Sequence, residues 1–141
     1  MGKRVLTSFT KVDIAIIRNE LVEEILKLLG KSSISDSIIW EIKIPISELA
    51  TNALEHGECC CYCIVNNPVA IGVIFLNRIK ENHTLKEKGE GEYGLEIVKE
   101  YSSTIKPKIK NKSLPIKGHE HKLVVIAFIK ENLKSAVLTA A

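Results

Sequence analysis

The chain has 141 residues, of which 45% are hydrophobic and 26% are charged, and its formal net charge is +3. This length suits one compact domain, which is expected over residues 1–131 with a tail at 132–141. The mild charge neither requires nucleic acid nor excludes an acidic ligand. No stretch approaches the ~20 apolar residues of a membrane span and the first ten residues lack a signal sequence, so a cytoplasmic protein is expected, with no membrane or nucleic-acid partner.

The first third of the chain predicts a short strand and two helices. Residues 5–9 have the composition of a strand, and Asp13 can cap the helix that follows. Gly30 ends that helix, because glycine accepts the left-handed conformation. A second helix is predicted from about Asp36 to His56. Pro45 lies inside it, so either the helix is kinked there or a short leading helix meets a second one with Pro45 in its first turn.

The middle of the chain predicts a hairpin, a loop and a helix. Residues 60–66 and 69–76 are typical of strands, and the Asn-Asn-Pro sequence at 66–68 is favourable turn chemistry between them. The stretch 77–92 is polar and contains glycines, which predicts a loop. Helical periodicity resumes over residues 93–101.

The remainder predicts two more strands, at about 104–110 and 122–129, separated by a turn-rich stretch containing Pro115 and Gly118. The residues from 133 onward are expected to form a short helix or to fray. The resulting order, β-α-α-β-β-loop-α-β-β, predicts an α+β sandwich with helices covering one face of a mixed sheet. Regular β-α-β alternation is missing, so a doubly wound nucleotide fold is excluded.

Two conspicuous clusters have ordinary structural interpretations. Four cysteines fall within residues 59–63, and Cys60 and Cys63 have the C-x-x-C spacing of a metal site. No second ligand pair accompanies them, and strand alternation would place these two on opposite faces, so we interpret them as small buried strand residues. The lysine-rich segment 106–112 is interpreted as a protected sheet edge in preference to a phosphate-binding patch.

Three polar residues recur at every fourth position of the second predicted helix: Glu48, Asn52 and His56. Each step of four residues advances only about 40° around the axis, so all three share one stripe. Asn52 can offer a carbonyl oxygen to Mg²⁺, and Glu48 can orient or deprotonate a nucleophile. His56 can reach phosphate oxygens or close the helix with Gly57. By spacing alone, the stripe is more typical of the solvated side of an amphipathic helix than of a functional site.

A second motif reads Gly89-Glu-Gly-Glu-Tyr-Gly94. Glycines let the backbone approach a phosphate, and the N-terminus of the following helix attracts anions. The spacing is G-x-G-x-x-G, but the motif does not follow a strand within a β-α-β unit, so the dinucleotide-binding interpretation fails. Taken alone, the motif also fits a flexible loop before a helix, and Glu90 and Glu92 would repel a phosphate at its middle.

Together the two motifs resemble the GHKL ATPases, which have the Bergerat nucleotide-binding fold. Ser47-Glu-Leu-Ala-Thr-Asn-Ala-Leu-Glu-His-Gly57 resembles their N-box, in particular that of the small anti-sigma-factor serine/threonine kinases. Gly94-Leu-Glu-Ile-Val98 resembles the end of their second glycine box. The resemblance is close over residues 46–57, moderate over 89–101, and elsewhere limited to the order of elements.

The resemblance implies a two-layer α/β sandwich, of histidine-kinase-like ATPase type, that binds ATP and Mg²⁺. It implies that Asn52 coordinates the Mg²⁺ and that Glu48 is the general base. The further nucleotide contacts it implies are His56, Asn77, Gly89, Gly91, Gly94 and Leu95. Such kinases transfer the γ-phosphoryl group to a small antagonist protein and release a sigma factor, so these partners and a homodimer are also expected.

Departures from the family pattern define an alternative. Asn77 stands where the family has an aspartate that accepts a hydrogen bond from the adenine amino group, and no glycines follow it. An asparagine carbonyl can still accept that bond but carries no charge, and Ile79 would crowd the base. Glu92 stands where a glycine is expected. The alternative is a degenerate, non-catalytic scaffold of the same fold that acts as a protein-binding regulator.

Overall fold

The computed structural model describes residues 6–30, 35–80 and 105–140. This part of the chain forms three α-helices, five strands and one 3-10 turn at Lys11–Asp13. In chain order the elements are β1 Thr7–Ser8, α1 Ile14–Leu29, α2 Asp36–His56, β2 Gly57–Asn66, β3 Ala70–Ile79, β4 Lys108–Ile116, β5 His119–Ile129 and α3 Lys130–Ala140. The helix predicted at 93–101 and most of the predicted loop lie outside the described residues.

The strands form one sheet in the order β1-β2-β3-β5-β4. The predicted hairpin between β2 and β3 is present, and β4 and β5 form a second one. Buried residues of all three helices join one core with the inward-facing residues of the sheet. The predicted α+β sandwich is therefore confirmed. The prediction named a mixed sheet, whereas each pair of described strands is antiparallel. For β2–β3 and β4–β5 the reason is the hairpin, which reverses the chain direction.

The centre of the core lies where α2 crosses β3 and β5. Successive strand residues point to opposite faces, so Ile71, Val73 and Phe75 of β3 all face the helices and are fully buried. Asn77 is the next residue on that face. The same alternation continues in β5, where every second residue from Val124 to Phe128 is buried. The sheet thus directs one polar side chain toward the end of α2.

α2 is a single helix of 21 residues that runs through the buried Pro45. Its end is tied to the end of β3 by Lys80. The Lys80 Nζ donates to the carbonyls of Leu54, at 3.3 Å, and Glu55, at 3.0 Å. The Lys80 backbone N–H donates to the His56 carbonyl at 3.4 Å. Because the last carbonyls of a helix have no partner within it, these bonds hold α2 against β3.

The start of α1 differs from its prediction. The Asp13 carboxylate accepts hydrogen bonds from the Thr10 backbone N–H, at 2.8 Å, and the Thr10 hydroxyl, at 3.0 Å. Asp13 therefore closes the 3-10 turn, and its carboxylate does not accept a hydrogen bond from the first backbone N–H groups of α1. The end of the helix is as predicted, since Gly30 has a left-handed φ of 71°.

The last two strands are longer than predicted and start elsewhere. Their hairpin turns at Lys117 and Gly118, both with positive φ, of 51° and 81°. Pro115 suggested a turn, but it belongs to β4, and an edge strand tolerates proline. The lysines at 108, 110 and 112 are exposed on this edge strand, as the sheet-edge interpretation predicted.

α3 begins directly after β5. Leu133 is fully buried and Ala136 is 3% exposed, and both join the common core. The C-terminal segment, expected to form a short helix or to fray, is therefore a helix that packs against the domain through these two residues. None of the described helices is both long and apolar enough to cross a membrane.

Candidate functional site

A pocket opens between the last two turns of α2 and the neighbouring ends of β3 and β5. Its walls are Leu49, Asn52, Ala53 and His56 of α2, Asn77 of β3, and Lys122 and Val124 of β5. Its volume is ≈ 340 Å³, counting the solvent space at its mouth. The enclosed part of the pocket measures only ≈ 20 Å³, about the room of one water molecule, so a larger ligand would lie mostly in its open mouth.

Three of the residues singled out from the sequence meet at this pocket: Asn52, His56 and Asn77. The fourfold spacing on α2 places the first two on one stripe, and alternation on β3 brings Asn77 to the facing wall. Glu48, one turn earlier on α2, is partly exposed and does not line the pocket. Gly89, Gly91, Gly94 and Leu95 lie outside the described residues.

Asn77 is the one polar residue buried in the described part of the chain, with 2% of its surface exposed. Its Nδ2 lies 3.5 Å from the Arg78 carbonyl oxygen, at the outer limit of a hydrogen bond. Burying an amide with weak hydrogen bonding costs about 1–3 kcal/mol. Its position is thus poor for stability and well suited to binding a ligand.

Gly57, directly after His56, makes the room that Asn77 occupies. A Cβ atom at position 57 would lie 2.7 Å from the Asn77 Cβ and 2.5 Å from its Cγ, with Nδ2 closer still. The φ of Gly57 is −138°, a conformation open to every residue, so the glycine is required by space. The sequence indicated only that Gly57 follows the helix end.

Lys122 is a site residue that the sequence analysis missed. It pairs with Asn77 in the ladder between β3 and β5, so the two side chains lie side by side on the inner face. A signal for it exists in the sequence. Lys122 occupies an inward position of a strand whose next inward residues, Val124, Ile126 and Phe128, are all apolar. A lysine at an inward position beside three buried apolar residues is an exception in that pattern, and this exception is the signal that marks it.

The lining can bind a ligand but contains no carboxylate. It offers two amides, an imidazole and an ammonium group, with Leu49, Ala53 and Val124 as apolar walls. His56 Nε2 lies 4.0 Å from the carboxylate of the exposed Glu55, outside the lining. The set suits an anionic ligand or one with a polar edge and a flat apolar body.

A magnesium ion fits this lining only as part of a ligand complex. Within residues 6–30, 35–80 and 105–136, no group of three or more His, Cys, Asp or Glu side chains is placed to hold a metal. Asn52 can supply a carbonyl oxygen, the kind of ligand that Mg²⁺ prefers, and phosphate oxygens of a nucleotide would complete the shell.

The cysteines lie beside the site and are largely structural. Cys60 and Cys63 are buried, as predicted, and the Cys60 thiol donates to the Ala53 carbonyl of α2 at 3.2 Å. Cys59 is exposed at an irregularity in the β2–β3 register and has a φ of 53°. The hydrogen bond of Cys60 thus holds β2 against the helix that carries the pocket.

Alkylation with iodoacetamide at pH 8 is expected to label Cys59 quickly and Cys60 slowly. Burial, and then the neighbouring Cys61, raises the pKa of the Cys60 thiol from 9.0 to about 11, so its thiolate is scarce at pH 8. Because the folded-state pKa is raised, the stability that Cys60 contributes is present below pH 9 and is lost as the pH rises toward 11. Peptide mass spectrometry checks the order, and equal labelling of both thiols in the native protein would refute it.

Comparison with known proteins gives only a distant similarity. No family model and no curated protein matches the sequence. Among solved structures, one nucleotide-free form of the catalytic domain of histidine kinase ThkA is 17% identical, covers 91% of this chain and 99% of its own, and has a TM-score of 0.44. A second nucleotide-free form is 15% identical over 88% and 97%, with a TM-score of 0.47. With TM-scores below 0.5, neither assigns a role to any residue.

Proposed function

We propose that the chain is a regulatory protein that binds a magnesium–nucleotide complex, ATP in the first place, between α2 and the sheet. The observation that carries this proposal is the meeting of Asn52, His56 and Asn77 at one pocket. Helical spacing singles out Asn52 and His56, and Asn77 stands where the resembled family has its adenine-binding aspartate. The resemblance implies that these three residues meet at a nucleotide, and the pocket between α2 and the sheet supports that proposal.

The proposed pose follows from the walls. The base would lie at the mouth of the pocket, against the apolar side chains of Leu49 and Val124, with its polar edge toward the buried Asn77. The phosphates would extend along α2, where the Asn52 carbonyl would hold the Mg²⁺ and His56 would donate to a nucleotide oxygen. Magnesium neutralises phosphate charge when bound, and the protein residues position the nucleotide around it.

We further propose phosphoryl transfer to a small antagonist protein, in the manner of anti-sigma-factor serine/threonine kinases. The acceptor hydroxyl would lose its proton to the Glu48 carboxylate, its oxygen would bond to the γ-phosphorus, and ADP would leave. This step rests on the resemblance of residues 47–57 to the N-box. The same resemblance supports a homodimer with an antagonist protein or a sigma factor as partner, and a cytoplasmic location is also part of the proposal.

A non-catalytic scaffold of the same fold is the second candidate, and one observation favours it. Glu48 is absent from the pocket lining, which holds no carboxylate to accept a proton. In this case the protein would bind its partner, with weak nucleotide binding or none, and would not transfer a phosphoryl group.

Thermal unfolding in the presence of Mg²⁺-ATP and Mg²⁺-ADP tests the proposal. A ligand at one hundred times its dissociation constant stabilises the native state by about 2.7 kcal/mol. Asn52→Ala is expected to abolish the magnesium-dependent part of the increase in Tm, and Asn111→Ala, on the exposed edge strand, is the matched control. An unchanged Tm at millimolar nucleotide in the parent protein would overturn nucleotide binding.

Glu48→Ala separates the two candidates once binding is seen. The variant should retain the nucleotide-dependent increase in Tm and lose transfer of labelled phosphate to the partner, while Glu23→Ala, on the exposed side of α1, retains both. Transfer that survives in the Glu48 variant would show that another group is the base.

A further inference from the structure

The face of the sheet that is turned away from the helices carries an ordered pattern of side chains. Phe75 faces the helices, so its neighbours Ile74 and Leu76 point to this outer face. Strand pairing aligns the outward residues in three rows that cross β2, β3, β5 and β4 in that order. The rows, which we call the outer patch, are Cys63, Ile74, Val125 and Lys110 in the middle, Cys61, Leu76, Leu123 and Lys112 on one side, and Val65, Gly72, Ala127 and Lys108 on the other.

Each row consists of three nonpolar residues followed by a lysine on the edge strand. The nonpolar residues are partly exposed, apart from the buried Cys63, and the three lysines are exposed. All three described helices pack on the other face, where buried residues of each join the common core. Four strands about 4.8 Å apart and five residues of about 3.4 Å each give the outer patch a flat area of about 300 Å². Apolar surface patches of this size are often functional.

The lysines define the charge of a ligand that fits the outer patch. Lys108, Lys110 and Lys112 are alternate residues of β4, so they follow one line at a spacing of about 6.8 Å. Carboxylates at every fourth position of a helix recur about every 6 Å along its axis, so they match this line. At the end of the outer patch Glu58 lies opposite Arg78, and these two opposite charges leave the charge of the lysine line unbalanced.

We propose that the outer patch docks an acidic amphipathic helix of a partner protein, with the helix axis along the strands. The apolar side chains of the helix cover β3 and β5, and its carboxylates pair with the lysines of β4. A helix about 10 Å wide spans two strands at their spacing of about 4.8 Å. A Cβ atom at Gly72 would have no neighbour closer than 3.9 Å, so this end of the patch has room for a bulky side chain of the partner.

This inference goes beyond the proposed nucleotide binding and does not depend on it. The strand residues that line the pocket, Asn77, Lys122 and Val124, lie on the inner face of the sheet. The outer patch lies on the opposite face, so a partner can dock there whether or not the pocket is filled.

Two other occupants fit the outer patch less well. A stable interface with a second copy needs about 800 Å² per partner, more than twice the area of the patch. A second copy would also place the lysines against its own lysines or against Cys61, Cys63 and Val65, none of which offers a carboxylate. An anionic bilayer attracts cations on every side of an apolar patch, whereas the lysines here follow a single edge.

Fluorescence anisotropy with two labelled synthetic helices tests the inference on the full chain. One is an amphipathic peptide of about 18 residues, with leucines on one face and glutamates at every fourth position beside them, and the other has lysines in place of the glutamates. The acidic peptide should bind, and more weakly as salt is added, because exposed ion pairs are screened. The basic peptide should not bind. Equal binding of both peptides, or binding of neither, would overturn the proposal.

Lys110→Glu reverses the charge at the middle of the lysine line and should weaken binding of the acidic peptide about tenfold. Val125→Thr keeps the shape of the side chain and puts a hydroxyl in the apolar centre, so it should also weaken binding. Lys134→Glu makes the same charge change at an exposed position of α3 and should bind like the parent protein. An unchanged affinity in the Lys110 variant would show that the outer patch is not the binding surface.

Two further measurements distinguish the partner helix from the other occupants. Sedimentation velocity should give the parent protein and the Lys110→Glu variant the same oligomeric state, and a dimer that this substitution dissociates would show that a second copy covers the patch. The parent protein should not float with phosphatidylserine vesicles. Flotation that Lys110→Glu abolishes would show that the patch binds a lipid surface. Either of these opposite results would overturn the assignment of a partner helix.

Discussion

Replacing Gly57 with alanine is expected to destabilise the protein by about 1–3 kcal/mol and to abolish ligand binding at the pocket. The new methyl carbon would lie 2.7 Å from the Asn77 Cβ, whereas carbon atoms prefer separations of about 3.5–4.0 Å. Asn77 is buried and cannot swing into solvent, so either β3 or the end of α2 must move. Both elements supply walls of the pocket, and a displaced wall no longer fits its ligand.

Gly72→Ala is the matched control, because Gly72 also lies in a strand of the same sheet. A methyl group there would approach only the Val125 Cγ1 and the Val65 carbonyl oxygen, each at 3.9 Å, which is ordinary van der Waals contact. Its unfolding free energy should change by less than about 0.5 kcal/mol. Urea denaturation compares the two variants. If both unfold at the same midpoint as the parent protein, the space between Gly57 and Asn77 does not constrain the native fold.

The parts of the structure that the sequence predicts are those encoded by local periodicity. The stripe of Asn52 and His56 follows from the 3.6-residue repeat of one helix, and the hairpin at residues 66–68 follows from turn chemistry. The end of α1 at Gly30 is also locally encoded, because glycine accepts the left-handed conformation at a helix end. The order of these elements is sufficient to predict a sandwich with helices on one face, because a sheet that is apolar on one face must bury that face against other elements.

The contacts that define the pocket depend on strand register, which local sequence does not specify. Gly57 meets Asn77 only because β2 and β3 pair with Gly57 opposite Ile79. Lys122 lies beside Asn77 only because β5 pairs with β3 at that position. A shift of one residue in either ladder would send these side chains to the other face of the sheet. A site formed by residues of two strands can therefore be identified only from the assembled sheet.

In the last hairpin, the turn-forming residues led to incorrect strand boundaries. Pro115 and Gly118 together suggested a long turn, and the strands were placed on either side of it. In the structure only Lys117 and Gly118 form the turn, and Pro115 pairs with Glu120 on the edge strand. The inward alternation from Lys122 to Phe128 predicts the body of β5 correctly because burial on one face imposes a period of two.

Substitution of Phe75 by alanine has the largest expected effect on stability, a loss of about 3–5 kcal/mol. The ring is fully buried on β3 and makes an edge-to-face contact with Phe9, with centroids 5.9 Å apart and planes at 69°. Its centroid also lies 6.5 Å from that of Tyr62. Removing it leaves a cavity under the helices and takes away one of the two ring contacts of Phe9, the other being with Tyr62 at 5.9 Å, so the N-terminal segment should loosen together with the core.

The measurement is the free energy of unfolding in urea. Val69→Ala is the control, because Val69 is 65% exposed beside the hairpin turn and its replacement should lower that free energy only slightly. The free energy of unfolding of a native domain is typically only about 5–15 kcal/mol. The Phe75 variant should therefore be partly unfolded at urea concentrations well below the midpoint of the parent protein. Because Phe75 lies two residues before Asn77 on the same face of β3, the cavity should also weaken nucleotide binding. A loss below about 1 kcal/mol would contradict the packing of the aromatic cluster and, with it, the support that holds Asn77 in the wall of the pocket.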